Sequence, residues 1–183
     1  MKSTTLPNLL TFLRIALVPV VVTLFYFDRP LSNWIVAAIF IVACITDYLD
    51  GYFARILKQT TRFGTFLDPI ADKLLVSATL LMLVGFGRIH GLSLIPAVII
   101  LCREILVSGL REFLAEVHVS IPVTRLAQWK TAIQMIALTF LIIESIPGSP
   151  FPFAEAGIGG LWIAAFLTLI TGFDYLRAGL RYM

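Results

Sequence analysis

The chain has 183 residues, of which 59% are hydrophobic and only 14% charged, with a formal net charge of +3. A mean hydropathy of +0.95 excludes an ordinary soluble domain, and at about 20 residues per span the length allows about six membrane helices in one bundle, residues 1–183 forming a single domain with no separate soluble part. The pI near 9.1 fits orientation in the bilayer and contact with anionic headgroups better than binding to nucleic acid.

Apolar runs and breakers place helices near residues 9–27, 32–55, 67–86, 92–114, 124–146 and 157–178. The first segment mixes polar residues with leucines and has no small-residue cleavage site after its apolar run, so it does not read as a cleavable signal. Leu6, Leu9, Leu10 and Leu13 fall on one helical stripe and Asn8, Thr11 and Arg14 on another. That pattern suits either a short interfacial helix leading into the span or a plain start of the span itself. The breakers are Asp28-Arg29-Pro30, Gly85-Phe86-Gly87, Ile121-Pro122 and Pro147-Gly148-Ser149-Pro150, while Gly159-Gly160 would allow a close helix contact. Cys44 and Cys102 lie in apolar runs without CxxC or Cys/His spacing and read as packing residues. His90 and His118 fall in predicted loops with no metal spacing around them and read as surface residues.

With six spans, twelve of the fourteen Lys and Arg residues fall on one side and only Arg29 and Arg88 on the other. The excess of basic residues places both termini and the loop between the second and third helices in the cytoplasm, as expected for a multi-pass protein of the cell inner membrane.

Against this apolar background, four carboxylates occur within 26 residues: Asp47 and Asp50 near the end of the second helix, Asp68 and Asp72 near the start of the third. Each charge costs about 2.5–3.5 kcal/mol to insert at a membrane-helix centre, so the group needs an offset, and divalent cations supply one. Spacings of three and four put each pair on one helix face. A short connection keeps these helix ends adjacent around one polar cavity at the cytoplasmic edge. Oxygen-only ligands suit Mg2+ or Mn2+, and four carboxylates suit two ions. Gly51, Ala54 and Gly64 remove bulk beside the acids, and Thr65 adds a hydroxyl near a helix N-terminus, leaving room for a base or a phosphate.

The motif is Asp47-x-x-Asp50-Gly51-x-x-Ala54-Arg55, eight residues, then Gly64-x-x-x-Asp68-x-x-x-Asp72. It resembles the signature of the CDP-alcohol phosphotransferases at all eight defined positions. Leu6 to Thr11, Thr61-Arg62-Phe63-Gly64, Arg103-Glu104-Ile105-Leu106, Arg111-Glu112 and Trp129-Lys130-Thr131 with Gln134 further resemble the bacterial phosphatidylglycerophosphate synthase branch of that family. The likeness runs through about residues 6 to 135. It implies an all-α membrane enzyme that transfers the phosphatidyl group of CDP-diacylglycerol to glycerol 3-phosphate and releases CMP, and it implies a homodimer.

By that resemblance Asp47, Asp50, Asp68 and Asp72 hold the metal, and Asp72 is also the base that deprotonates the acceptor hydroxyl. Asp47, Asp50, Gly51, Ala54, Arg55, Gly64, Thr65 and Asp68, with Asn8 and Thr11 from the first helix, bind CDP-diacylglycerol. A phosphorylated acceptor needs cations, and Arg103, Arg111 and Lys130 on the fourth and fifth helices, with Arg62 at the mouth, are the candidates. Arg111 and Lys130 lie inside apolar helices, where an internal partner is expected, and Glu112 and Glu116 either orient them or form a solvated helix end. The rival readings are another acceptor, inositol phosphate or serine, and a cation- or proton-coupled transporter. The last would string acids through the bilayer and repeat its halves, whereas these cluster at one edge and no repeat is visible.

Overall fold

In the computed structural model the backbone is described for residues 6–27, 29–57, 62–116, 125–144 and 151–179, and the side chains of these except at 6–7, 48–57, 62–66, 68, 72, 115–116, 125, 174 and 178. The described residues are helical almost throughout: α1 is Leu6–Phe25, α2 Pro30–Leu57, α3 Arg62–Gly85, α4 Leu94–Glu116, α5 Arg125–Ile143 and α6 Phe153–Gly179. Five of these helices contain stretches long and apolar enough to cross a membrane. The exception, α3, has 24 residues, but Asp68, Asp72 and Lys73 fall in every 18-residue stretch of it.

The helix ends follow local chemistry. Pro30 opens α2, where the missing N–H is no loss, and the Ser32 hydroxyl both accepts from the Arg29 N–H and donates to the Arg29 carbonyl, each at 2.8 Å. Glu155 in the first turn of α6 and Arg177 in its last turn complement the helix dipole. Between α3 and α4 the chain turns through Gly87 and Gly91 at φ +72 and +56, a region that glycine enters without steric cost. A short 3-10 turn, Gly91–Ser93, leads into α4. The third helix starts earlier than its sequence suggests. The weak breaker between Arg62 and Leu67, Gly64, does not stop the helix, so Gly64 and Thr65 belong to the opening turns of α3. Pro69, one residue after Asp68, lies inside the helix and cannot donate to the Thr65 carbonyl.

Contacts gather into two compact units, one holding α1, α2 and α3, the other α4, α6 and most of α5. In the first, α1 packs against both α2 and α3. Its polar stripe faces inward: Asn8, Thr11 and Arg14 are buried, whereas Leu9, Phe12 and Leu13 are exposed. In the second, α4 packs on α6, and Lys130, Gln134, Thr168 and Thr171 are buried while Ile105, Phe166 and Phe173 are exposed. Polar groups within and large apolar groups without is the arrangement expected where the surroundings are lipid, because the bilayer core offers no hydrogen bonds. Cys44 is half-buried, but Cys102 is on the exposed face and so does not pack the interior. His90 is exposed, with Nδ1 2.9 Å from the Gly87 carbonyl; His118 lies outside the described residues.

The double glycine of α6 divides its roles. A Cβ at Gly160 would stand 2.9 Å from the Ala137 Cβ of α5, which has no rotamer by which to withdraw, whereas nothing lies within 4 Å of one at Gly159. Gly160→Val should therefore destabilise the second unit by about 1–3 kcal/mol. Its thermal midpoint in detergent should fall, and that of Gly159→Val should not.

Candidate active site

All four motif aspartates lie on helical backbone, Asp47 and Asp50 in α2, Asp68 and Asp72 in α3. The spacing arguments for one face per pair therefore apply to the folded chain. The side chains of Asp50, Gly51, Ala54, Arg55, Arg62, Gly64, Thr65, Asp68 and Asp72 lie outside the described residues. Among the described residues no three His, Cys, Asp or Glu side chains gather.

Asp47 is described, and it has a partner that sequence reasoning missed. Arg14 Nη1 of α1 donates to Asp47 Oδ1 at 2.9 Å. The arginine is 1% exposed and the aspartate 37%, so one end of the pair is enclosed and the other can be reached by an entering cation. Counting Arg14 among the cytoplasmic-side cations hid this role. The available signal was its register, since Asn8, Thr11 and Arg14 share one face and all three turn inward.

A divalent cation suits this chemistry. The motif donors are anionic oxygens alone, which favours Mg2+ or Mn2+ over softer metals, and the one described carboxylate combines partial exposure with a fixed orientation.

The second unit carries the other polar cluster. Lys130 of α5 is buried and donates to Glu104 Oε1 of α4. Arg103 Nη1 lies 3.5 Å from the same Glu104 oxygen. Arg103 Nη2 donates to Thr171 Oγ1 of α6 at 3.1 Å, and its guanidinium carbon is 5.9 Å from the Tyr175 ring centroid. Thr171 Oγ1 in turn donates to the Leu167 carbonyl at 2.9 Å. One turn beyond Lys130, Gln134 is buried with its Oε1 unpartnered. Two of the predicted acceptor cations thus come together, fixed by three helices and a single carboxylate.

Two expectations change here. Arg111 was expected to find an internal partner, but it is exposed, because its position on α4 falls outside the face that packs on α6. Glu112 is also exposed and the Glu116 side chain lies outside the described residues, so among described acids it is Glu104 that orients the cations. Glu104 follows Arg103 directly in sequence, and adjacent residues on a helix do not face each other. Their long side chains nonetheless approach to 3.5 Å, with Glu104 also paired to Lys130 of α5 and Arg103 to Thr171 of α6.

The family model for CDP-alcohol phosphatidyltransferases matches residues 4–170. The chain belongs to that family. Among similar CDP-alcohol phosphatidyltransferases, the CDP-diacylglycerol–glycerol-3-phosphate 3-phosphatidyltransferase of Rickettsia bellii is 49% identical over 97% of this chain and 96% of its own. The enzyme of that name from Cereibacter sphaeroides is 38% identical over 97% and 96%, and a second Arabidopsis thaliana form is 41% identical over 96% and 80%. A crystal structure of Mycobacterium tuberculosis phosphatidylinositol phosphate synthase in complex with manganese and citrate shares the fold, with a TM-score of 0.68 and 23% identity over 95% of this chain and 82% of that one.

Proposed function

We propose that this family member transfers the phosphatidyl group of CDP-diacylglycerol to glycerol 3-phosphate, forming phosphatidylglycerophosphate and CMP. The observation that carries this reading is the 49% identity, end to end, with a relative that bears that activity in its name. The complete aspartate motif on α2 and α3 agrees with it. The family model runs through both units, which supports reading residues 1–183 as one catalytic domain.

In this reading the glycerol 3-phosphate hydroxyl oxygen bonds to the phosphorus that carries diacylglycerol, the bond from that phosphorus to the CMP oxygen breaks, and the hydroxyl proton passes to the Asp72 carboxylate. Asp47, Asp50, Asp68 and Asp72 hold the divalent ions, two Mg2+ or Mn2+, which when bound neutralise the pyrophosphate. Asn8, Thr11, Gly51, Ala54, Arg55, Gly64 and Thr65 accept the cytidine and pyrophosphate of the donor. Asn8 and Thr11 are supported by their burial on the inward stripe of α1. Arg103 and Lys130 bind the acceptor phosphate, with Arg62 and the exposed Arg111 guiding it in. Glu104 holds the two inner cations together until a dianion competes for them. The active cavity opens on the cytoplasmic side of the inner membrane, both termini lie there, the first turns of α1 run along the interface, the surrounding lipids cover the apolar faces, and the enzyme works as a homodimer.

Purified protein with CDP-diacylglycerol and Mg2+ should release CMP with glycerol 3-phosphate and not with serine or without acceptor. Release with inositol phosphate instead would keep the donor chemistry and move the acceptor, because a cluster of cations answers to any phosphorylated alcohol. No release with any acceptor would overturn the transfer reading.

A further inference from the structure

We propose that Arg14 is a positioning residue for the metal site, holding Asp47 through one carboxylate oxygen so that the other is presented to the divalent ion. The inference rests on the reading that the motif aspartates hold that ion. A guanidinium that is 1% exposed in a membrane helix is tolerated only against an anion, and breaking such a pair leaves an uncompensated charge. Here the anion is a motif residue, Asp47, reached at 2.9 Å. The arginine stands on α1, which packs against both motif-bearing helices, α2 and α3, so one rigid element carries it to the place where the carboxylates are supplied.

A carboxylate has two oxygens and about four lone-pair directions. Engaging Oδ1 fixes the rotation of the group without consuming its capacity to ligate. Partners of this kind behind a metal ligand are worth about 10- to 100-fold in metal affinity. The opposing effect is repulsion between the guanidinium and the arriving cation. It is weakened because the Asp47 end of the pair is 37% exposed and so screened by water, whereas orientation is not screened. Orientation therefore dominates, and removing Arg14 weakens metal binding.

The test is Mn2+ titration of the purified full chain in detergent, with free Mn2+ read by electron paramagnetic resonance, for the wild type, Arg14→Gln, Arg14→Lys and Asp47→Asn. Arg14→Gln should bind Mn2+ about 10- to 100-fold more weakly. Arg14→Lys should fall in between, because it keeps the charge and loses the planar fork. Binding by Arg14→Gln within about twofold of wild type, or tighter, would overturn the proposal while leaving the metal reading intact. If Arg14→Gln does not fold, unchanged affinity in Arg14→Lys overturns it equally. Absence of Mn2+ binding by folded wild type would sink the metal reading and this one with it, and undiminished binding by Asp47→Asn would place the ion elsewhere and do the same to this one.

Discussion

Asp72→Asn should lower the rate of CMP release in the presence of glycerol 3-phosphate by about 10²- to 10⁴-fold, the usual contribution of a positioned base. The amide keeps the size and shape of the carboxyl group and cannot take the hydroxyl proton. It stands at the end of the motif, four residues beyond Asp68 on α3, so the other three aspartates remain to hold a cation. Binding of CDP-diacylglycerol should persist, and the thermal midpoint should stay close to wild type. Near-normal turnover would remove the assignment of Asp72 as base, and a simultaneous loss of donor binding would make it chiefly a ligand.

Lys130→Met should raise the KM for glycerol 3-phosphate, with the KM for CDP-diacylglycerol nearly unchanged. A hydrogen bond to a charged group is worth about 1.5–3 kcal/mol, or roughly 10- to 100-fold in affinity. Methionine preserves the apolar stem that fills the buried site, so the change isolates the ammonium. Lys130 is also the partner of Glu104, and a merely structural ion pair would produce a loss of its own. The double variant Lys130→Met with Glu104→Gln separates the two roles, because it removes both charges together. If Lys130 only balances Glu104, transfer recovers in the double variant; if it binds the acceptor phosphate, the KM stays high. An unchanged KM in the single variant would take Lys130 out of the site.

Much of this site is legible in one dimension because a membrane protein makes each polar residue conspicuous. Four aspartates, two glycines, an alanine and an arginine at fixed spacing stand out against apolar helices, and their chemistry points to cations and phosphates before any fold is known. The all-helical, membrane-spanning class and several helix ends were also legible, since spans need a set length and Pro30 and Gly87 mark turns. The start of α3 was not, because a weak breaker such as Gly64 is outweighed by the continuous helix around it.

Partner identity was the hidden part. Arg14 and Asp47 are 33 positions apart and Lys130 and Glu104 are 26 apart; no periodicity relates such residues. Arg111 and Lys130 look alike in sequence, each a cation within an apolar helix, and the fold exposes one and buries the other. By itself the sequence determined the membrane setting, the helices and the family chemistry, because these depend on composition, period and short-range spacing. Only the tertiary structure decided that the polar stripe of α1 turns inward onto Asp47 and that Glu104 gathers Arg103 and Lys130, because the choice of facing helix surfaces sets which charges meet.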